Sequence, residues 1–293
     1  MSTKPEAVPS CDPPPVQQAP RPALSLSATR ADFRKDKAFS GRLTGVVDVV
    51  IAVGGCCLPT RWGHSGGVPN ESTAIAVTAR DLDDYRHMFA LDDDTLARSD
   101  FLDCASGASA FGAQLRARGG QVLSVDPLYG DGLDAVRERA LHNLNHCEQW
   151  LGTHTDVINW DHLGSPAAYR RNGRRSLASF SADFAAHPNR YLAASLPAIP
   201  LGDDTVDVAL CANFLFAYAD TLDVDFHIAA ITELARIARS EVLIHPLSAR
   251  DGRNLDDFAA AVERGLSAAG LHTQTFIAPS TWLRGASTMR ISP

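Results

Sequence analysis

Phe101-Leu102-Asp103-Cys104-Ala105-Ser106-Gly107-Ala108-Ser109-Ala110-Phe111-Gly112, followed by a helical run to Arg118 and then Val122-Leu123-Ser124-Val125-Asp126-Pro127, is the stretch that decides how this 293-residue chain is read. It consists of an apolar segment that includes Asp103, a run of small residues, a helix, and a second apolar segment that ends on a carboxylate. That is the first βαβ half of a nucleotide-binding sheet. Ala105 to Ser109 are all small, so the backbone turns sharply and a ligand approaches its N–H groups with little side chain in the way. The helix near 111–118 points its N-terminal amides and positive dipole end at the same place, which favours a carboxylate or phosphate. Asp126 stands at the tip of the second strand, where its two acceptor oxygens suit both hydroxyls of a ribose, and Pro127 closes that strand.

Outward from this unit, residues 81–89 predict a short helix with Leu82, Tyr85, Met88 and Phe89 on its apolar side. Strands near 100–104, 121–126, 191–194, 206–212 and 241–247 alternate with helices near 111–118, 223–239 and 254–269, a pattern that implies a parallel sheet. Residues 271–278 and 286–292 then read as two strands joined by the turn-rich link Pro279 to Gly285. So short a link makes no parallel crossover, and these strands are expected to be antiparallel. Between the second and third strands the chain is longer than one crossover helix needs. Leu133, Val136, Ala140, Leu141, Leu144, Cys147 and Leu151 fall at helical spacing, and a second helix is expected around 166–184, broken near Gly173. Residues 131–190 are therefore read as a helical insertion placed to cap a substrate pocket.

The opening stretch resembles motif I of the class I S-adenosylmethionine-dependent methyltransferases, in which an acidic residue, x-Gly-x-Gly-x-Gly and a second acidic residue follow in order. Asp103 and Asp126 match the acids and Gly107 the central glycine, while Ala105 and Ser109 occupy the other glycine positions. Only Gly107 is expected to need a positive φ. Tyr191 to Leu210 is similar to the family's strand, adenine-contacting turn, bend and fourth strand, with Ser195 where an aspartate commonly accepts from the adenine amino group. Cys211-Ala212-Asn213-Phe214-Leu215-Phe216 matches the segment under the sulfonium. The resemblance covers roughly residues 80 to 293. It implies an α/β, Rossmann-like, doubly wound seven-stranded sheet of order 3-2-1-4-5-7-6 with an antiparallel last strand. It further implies S-adenosyl-L-methionine as cofactor, held by Asp103, Ala105, Ser106, Gly107, Ser109, Asp126, Pro127, Ser195, Leu196, Asn213 and Phe214.

Methyl transfer asks the protein to align a nucleophile, exclude water and in some cases remove a proton. His245, after the fifth strand, is the expected base, with Tyr218 as a second catalytic candidate. The Asp/Asn-Pro-Pro-aromatic pattern of nucleobase and glutamine N-methylation is replaced by Cys211-Ala212-Asn213-Phe214, which points to a small-molecule acceptor. Two alternatives stay open. The altered glycine motif suits a cofactor-binding regulator without turnover, and Ala105-x-Gly107-x-x-Ala110 approximates the fingerprint of an NAD-dependent oxidoreductase.

Composition adds bounds. A formal charge of −7 gives no general pull toward nucleic acid, and 45% hydrophobic with 21% charged residues is ordinary for a soluble protein. Cys11, Cys56, Cys57, Cys104, Cys147 and Cys211 show no disulfide-framework spacing, which predicts a cytoplasmic setting. Residues 1–40 read as a disordered Pro-rich tail, 41–79 as an N-terminal extension, and 80–293 as the methyltransferase-like domain. The apolar run Val46 to Val53, followed by Gly54-Gly55-Cys56, superficially resembles an export signal, but Asp48 interrupts it and it is too short to span a membrane. His142, His146 and Cys147, with His154 and His162 downstream, lack a second tight ligand pair, and no metal is expected. Arg170, Arg171, Arg174 and Arg175 form either an anion-holding patch or a solvated helix face.

Overall fold

In the computed structural model the sheet is introduced by two short capped helices. Asp81 caps α1 (Leu82–Phe89): its carboxylate accepts from the Asp84 amide at 3.0 Å while the Asp84 carboxylate accepts from the Asp81 amide at 3.1 Å. This reciprocal box satisfies two donors that a helix start would otherwise leave open. The second helix, α2 (Asp93–Arg98), starts where Asp92 accepts from the Thr95 amide, and the sequence reading missed it. There follow β1 (Asp100–Cys104), α3 (Phe111–Arg116), β2 (Gln121–Val125), α4 (Leu133–Thr153), α5 (Trp160–Leu163), α6 (Pro166–Ala186) and β3 (Tyr191–Leu192). The chain continues through β4 (Val206–Ala212), α7 (Val224–Ile237), β5 (Ala238–His245), α8 (Asp256–Ala268), β6 (His272–Ile277) and β7 (Ser287–Ser292). The structure describes residues 75–153, 155–156, 158–279 and 282–292. The expected tail, the apolar run at 46–53, all of the extension before residue 75, and Cys11, Cys56, Cys57 and His154 lie outside the described residues.

The strands form one sheet in the order β3-β2-β1-β4-β5-β7-β6, parallel except for β7, which runs antiparallel to β5 and β6. This is the Rossmann-like order and polarity that the methyltransferase resemblance implies. Alternation along each strand explains the two layers. Leu102, Cys104, Ala209 and Cys211 face one core with Ile231, Leu234 and Val262 from α7 and α8. Phe101, Val208 and Leu210 face the other, against Leu82, Tyr85, Phe89 and Phe111 of α1 and α3. Strand order reverses between β1 and β4, and the crevice outside their carboxyl ends is where open α/β sheets bind ligands.

Element bounds differ from expectation in places; β5, expected over 241–247, is Ala238–His245. The third strand, expected over 191–194, is only Tyr191–Leu192. The expected break at Gly173 does not occur: α6 is continuous, and Gly173 lets it pack tightly on α4, since a Cβ there would stand 2.3 Å from Leu144 Cδ2. The insertion is fastened to the sheet by an ion pair between Arg116 of α3 and Asp183 of α6. The Tyr191 hydroxyl donates to the same Asp183 carboxylate at 2.6 Å, and Arg116 Nη1 donates to the Val122 carbonyl at 2.8 Å.

Candidate functional site

The bend after β1 turns through two residues in the left-handed region, Ala105 and Gly107, both at φ 55°. The expectation that only Gly107 needs this freedom is thus corrected: alanine at the first glycine position is strained, a cost of about 1–2 kcal/mol. The turn is closed by the Ser106 amide donating to the Val125 carbonyl at 3.2 Å and the Phe111 amide donating to Ser109 Oγ at 3.1 Å. Ser106, Gly107, Ala108, Ser109 and Ala110 are all buried.

The two acids have different surroundings. Asp103 is fully buried and accepts from the Tyr85 hydroxyl at 2.8 Å and from Ser106 Oγ at 2.6 Å, so it faces the α1 layer and braces the bend from behind. Burial pushes its pKa up to about 6, against the lowering effect of those two hydrogen bonds. Asp126 accepts from the Gly107 amide at 2.8 Å and from the Leu128 amide at 3.0 Å. Burial raises its pKa and the two amides oppose the rise. Both oxygens already serve the chain's own backbone, although each keeps a second lone pair.

A strap formed by residues 75–80 lies across the mouth of the bend. The Ala108 amide donates to the Thr78 carbonyl at 3.2 Å and the Ala110 amide to the Arg80 carbonyl at 2.7 Å. Asn143 of α4 donates to the Val77 carbonyl at 3.1 Å, and the Ala76 amide donates to the Tyr218 hydroxyl at 2.6 Å. Val77 packs with Ala108, Tyr129, Val136 and Phe180, and a Cβ placed on Gly107 would meet its Cγ1 at 3.4 Å. The space a ligand would use beside Gly107 is therefore filled by the chain itself.

On the other side of the strap is a cavity of about 440 Å³ at the carboxyl ends of β4 and β5. Ala76, Thr78 and Arg80 of the strap line it, while Val77 between them faces the bend, the period-two alternation of an extended segment. The insertion contributes His146, Cys147, Leu151 and Tyr169 to its wall, and Asn213, Tyr218, Arg250 and Trp282 complete its polar and aromatic lining.

Of the residues that the sequence analysis assigned to the site, Asn213 and Tyr218 line this cavity. Asp103, Ser106, Gly107, Ser109 and Asp126 gather with Ala105 at the bend under the strap. Pro127 is exposed at the start of a 3-10 turn over 127–131. Ser195 is exposed beyond β3 and bridges to Ala198, and Leu196 and Phe214 pack on the α7–α8 core. These four neither meet the bend's acids nor line the cavity.

His245 corrects the expectation of a base. Its Nδ1 lies 2.9 Å from Thr288 Oγ1, whose hydroxyl donates to the Met88 carbonyl at 2.6 Å. With that proton committed, Nδ1 must carry the hydrogen and Nε2 the lone pair. Nε2 is buried without a partner, and burial pushes the pKa down to about 3. The ring is a neutral structural element packed edge-on to Phe89. Among the described residues no three His, Cys, Asp or Glu gather as metal ligands; His142 and His146 are exposed, and His162 contacts Asp84 at 3.4 Å. The four arginines of α6 are exposed.

Sequence reasoning missed Arg80, Tyr169, Arg250 and Trp282. The signal for Arg80 was the alternation Ile75-Ala76-Val77-Thr78-Ala79-Arg80 directly before the Asp81 cap.

No family model matches the sequence. An uncharacterized protein of Methanocaldococcus jannaschii is 29% identical over 169 residues, spanning 57% of this chain and 76% of its own length. Among solved structures, the magnesium protoporphyrin IX methyltransferase of Synechocystis with bound SAM is 13% identical, with a TM-score of 0.37 over 69% of this chain and 73% of its own. A SAM-dependent methyltransferase from Aquifex aeolicus is 14% identical, with a TM-score of 0.35 over 70% of this chain and 90% of its own.

Proposed function

We propose that this chain is an S-adenosylmethionine-dependent methyltransferase acting on a small-molecule acceptor. The observation that carries the reading is the constellation Asp103, Ala105 to Ser109 and Asp126 at the β1/β4 reversal of a 3-2-1-4-5-7-6 sheet, with a cavity beside it at Asn213. The donor set fits an adenosyl group by chemistry: Asp126 has lone pairs for ribose hydroxyls, and the bend's amides suit an anionic terminus. The space does not fit while the strap is seated, so the described state is one that must open before a donor binds. When bound, the sulfonium supplies an already activated methyl group, and the protein's share is alignment and exclusion of water.

The chain's own residues divide that share. Tyr218 is buried and its pKa is raised by burial, which suits a hydrogen-bonding role rather than a base. Release of the strap frees its hydroxyl from the Ala76 amide. Asn213, held by Trp282 Nε1 donating to its Oδ1 at 3.4 Å, marks the boundary between bend and cavity. The helical insertion supplies the outer wall, in keeping with a substrate cap. The formal charge of −7 supports a partner other than nucleic acid, and the free thiols of Cys104, Cys147 and Cys211 support a reducing, cytoplasmic setting. Among the described residues no helix is long and apolar enough to cross a membrane.

Calorimetric titration with S-adenosylmethionine, S-adenosylhomocysteine and NAD tests the reading. The expected outcome is saturable binding of the first two, weakened by about 1.5–3 kcal/mol in Asp126→Ala through loss of a charged acceptor. Saturable NAD binding in their place would replace the proposal with an oxidoreductase. The seated strap favours a second reading, a cofactor-responsive regulator; methyl transfer in an acceptor screen rejects it.

A further inference from the structure

We infer that the 440 Å³ cavity is a binding site for a planar aromatic anion, gripped by Arg80 and Arg250 and packed among Tyr169, Tyr218 and Trp282. The site is that of the seated strap, and the inference stands independently of the proposed function.

Arg80 stacks over Trp282 at 5.4 Å and Arg250 over Tyr218 at 5.2 Å. Among the described residues neither forms an ion pair or a side-chain hydrogen bond. Arg80 Nε is shielded from solvent without an acceptor. A shielded donor left unmet is unfavourable, so this guanidinium holds no acceptor that an arriving anion would have to displace. The carboxylates nearby do not provide it. Asp220 and Asp251 at the rim are taken by Arg253, at 2.8 and 3.7 Å. Asp84, close enough to feel the Arg80 charge, is bonded to the Asp81 amide and lies against His162. The cavity thus presents two unspent guanidiniums while its acids are spent, and guanidinium forks match carboxylate or phosphate oxygens.

Shape supplies the other half. The volume lies in the range of small-molecule sites, enough for one or two fused rings. Ala76, Leu151, Ala217 and Leu283 add apolar surface between the rings, so the wall offers flat aromatic faces with apolar patches between them.

The test uses the full chain without methyl donor and the probes 1-naphthoate, 1-naphthyl phosphate, 1-naphthamide and 1-naphthylmethylamine, read by calorimetry. At least one anion is expected to bind tenfold or more tightly than the neutral amide, with the amine weakest, and the better anion identifies the headgroup. Arg250→Gln, an exposed position, is expected to weaken that anion about tenfold with the unliganded melting temperature unmoved. Arg80→Gln should weaken it further, and Arg80→Lys should restore only part of the loss. Equal binding of amide and anion, no binding by either anion, or Arg250→Gln binding like the unaltered chain overturns the inference. Anion binding without S-adenosylmethionine binding defeats the methyltransferase reading and leaves this one standing; the reverse defeats this one alone.

Discussion

Val77→Ala tests whether the strap must lift for a donor to reach the bend. Val77 is 3% exposed, set among Ala108, Tyr129, Val136 and Phe180, and its side chain, with the Thr78 backbone, borders the space beside Gly107. Removing two methyl groups withdraws about 1.6 kcal/mol of apolar burial from the seated strap, at about 0.8 kcal/mol per carbon. The lifted strap holds this side chain in water and loses nothing. A ligand that binds only the lifted form has an apparent Kd equal to its intrinsic value divided by the lifted fraction. For a strap seated most of the time, 1.6 kcal/mol therefore tightens S-adenosylmethionine binding by about fifteenfold. Asn143→Ala gives an independent reading: it removes the 3.1 Å bond to the Val77 carbonyl, worth about 1 kcal/mol, for a gain of about fivefold.

Calorimetry measures the affinities, and hydrogen exchange at the Ala108 and Ala110 amides measures the lifting, because these two donate to strap carbonyls. Both readouts should change by matching factors. Both variants also lower global stability, since the strap belongs to the folded core, and urea unfolding records that loss separately. Faster exchange at Ala108 and Ala110 with donor affinity unchanged or weaker would refute the reasoning: the strap would then open without having stood in the donor's way.

Asp103 makes folding depend on pH in the direction opposite to a salt-bridged carboxylate. Its pKa is raised from 3.8 to about 6 in the folded state, so between those values the folded chain keeps a proton that the unfolded chain releases. Stability is full below about pH 4 and falls, by on the order of 3 kcal/mol, as pH rises through 6. Urea unfolding from pH 4 to 7 should show this slope reduced in Asp103→Asn; equal slopes would reject the assignment. Ala105→Gly relieves a left-handed alanine at φ 55°, about 1–2 kcal/mol, against about 0.4–1 kcal/mol of extra unfolded-state entropy. A net gain of about 0.5–1 kcal/mol in urea is expected, and a loss would show that the bend needs the methyl group.

The sheet was legible in the sequence because its signals are local. Burial of β1 and β4 on both faces demands continuous apolar runs, and a link too short for a crossover forces β7 to run antiparallel, whatever the rest of the chain does. The bend's small residues and its two acids were legible for the same reason. The state of the bend was not, because motif reasoning treats Asp126 and the loop amides as unspent, whereas folding brings Thr78 and Arg80 to the Ala108 and Ala110 amides across some thirty residues of chain. His245 failed likewise: position at a strand end suggested chemistry, but Thr288, forty-three residues on, fixes its proton and burial removes its basicity. Arg80 shows the converse. It is unremarked in sequence, one residue before a helix cap, and becomes chemically distinctive only when Trp282 and Tyr169 close around it without offering an acceptor. What a local pattern can assign is which groups are able to bind. Whether they are already satisfied is decided by partners far away in the chain, and that distinction separates the bend, whose amides are met from within, from the cavity, whose guanidiniums are not.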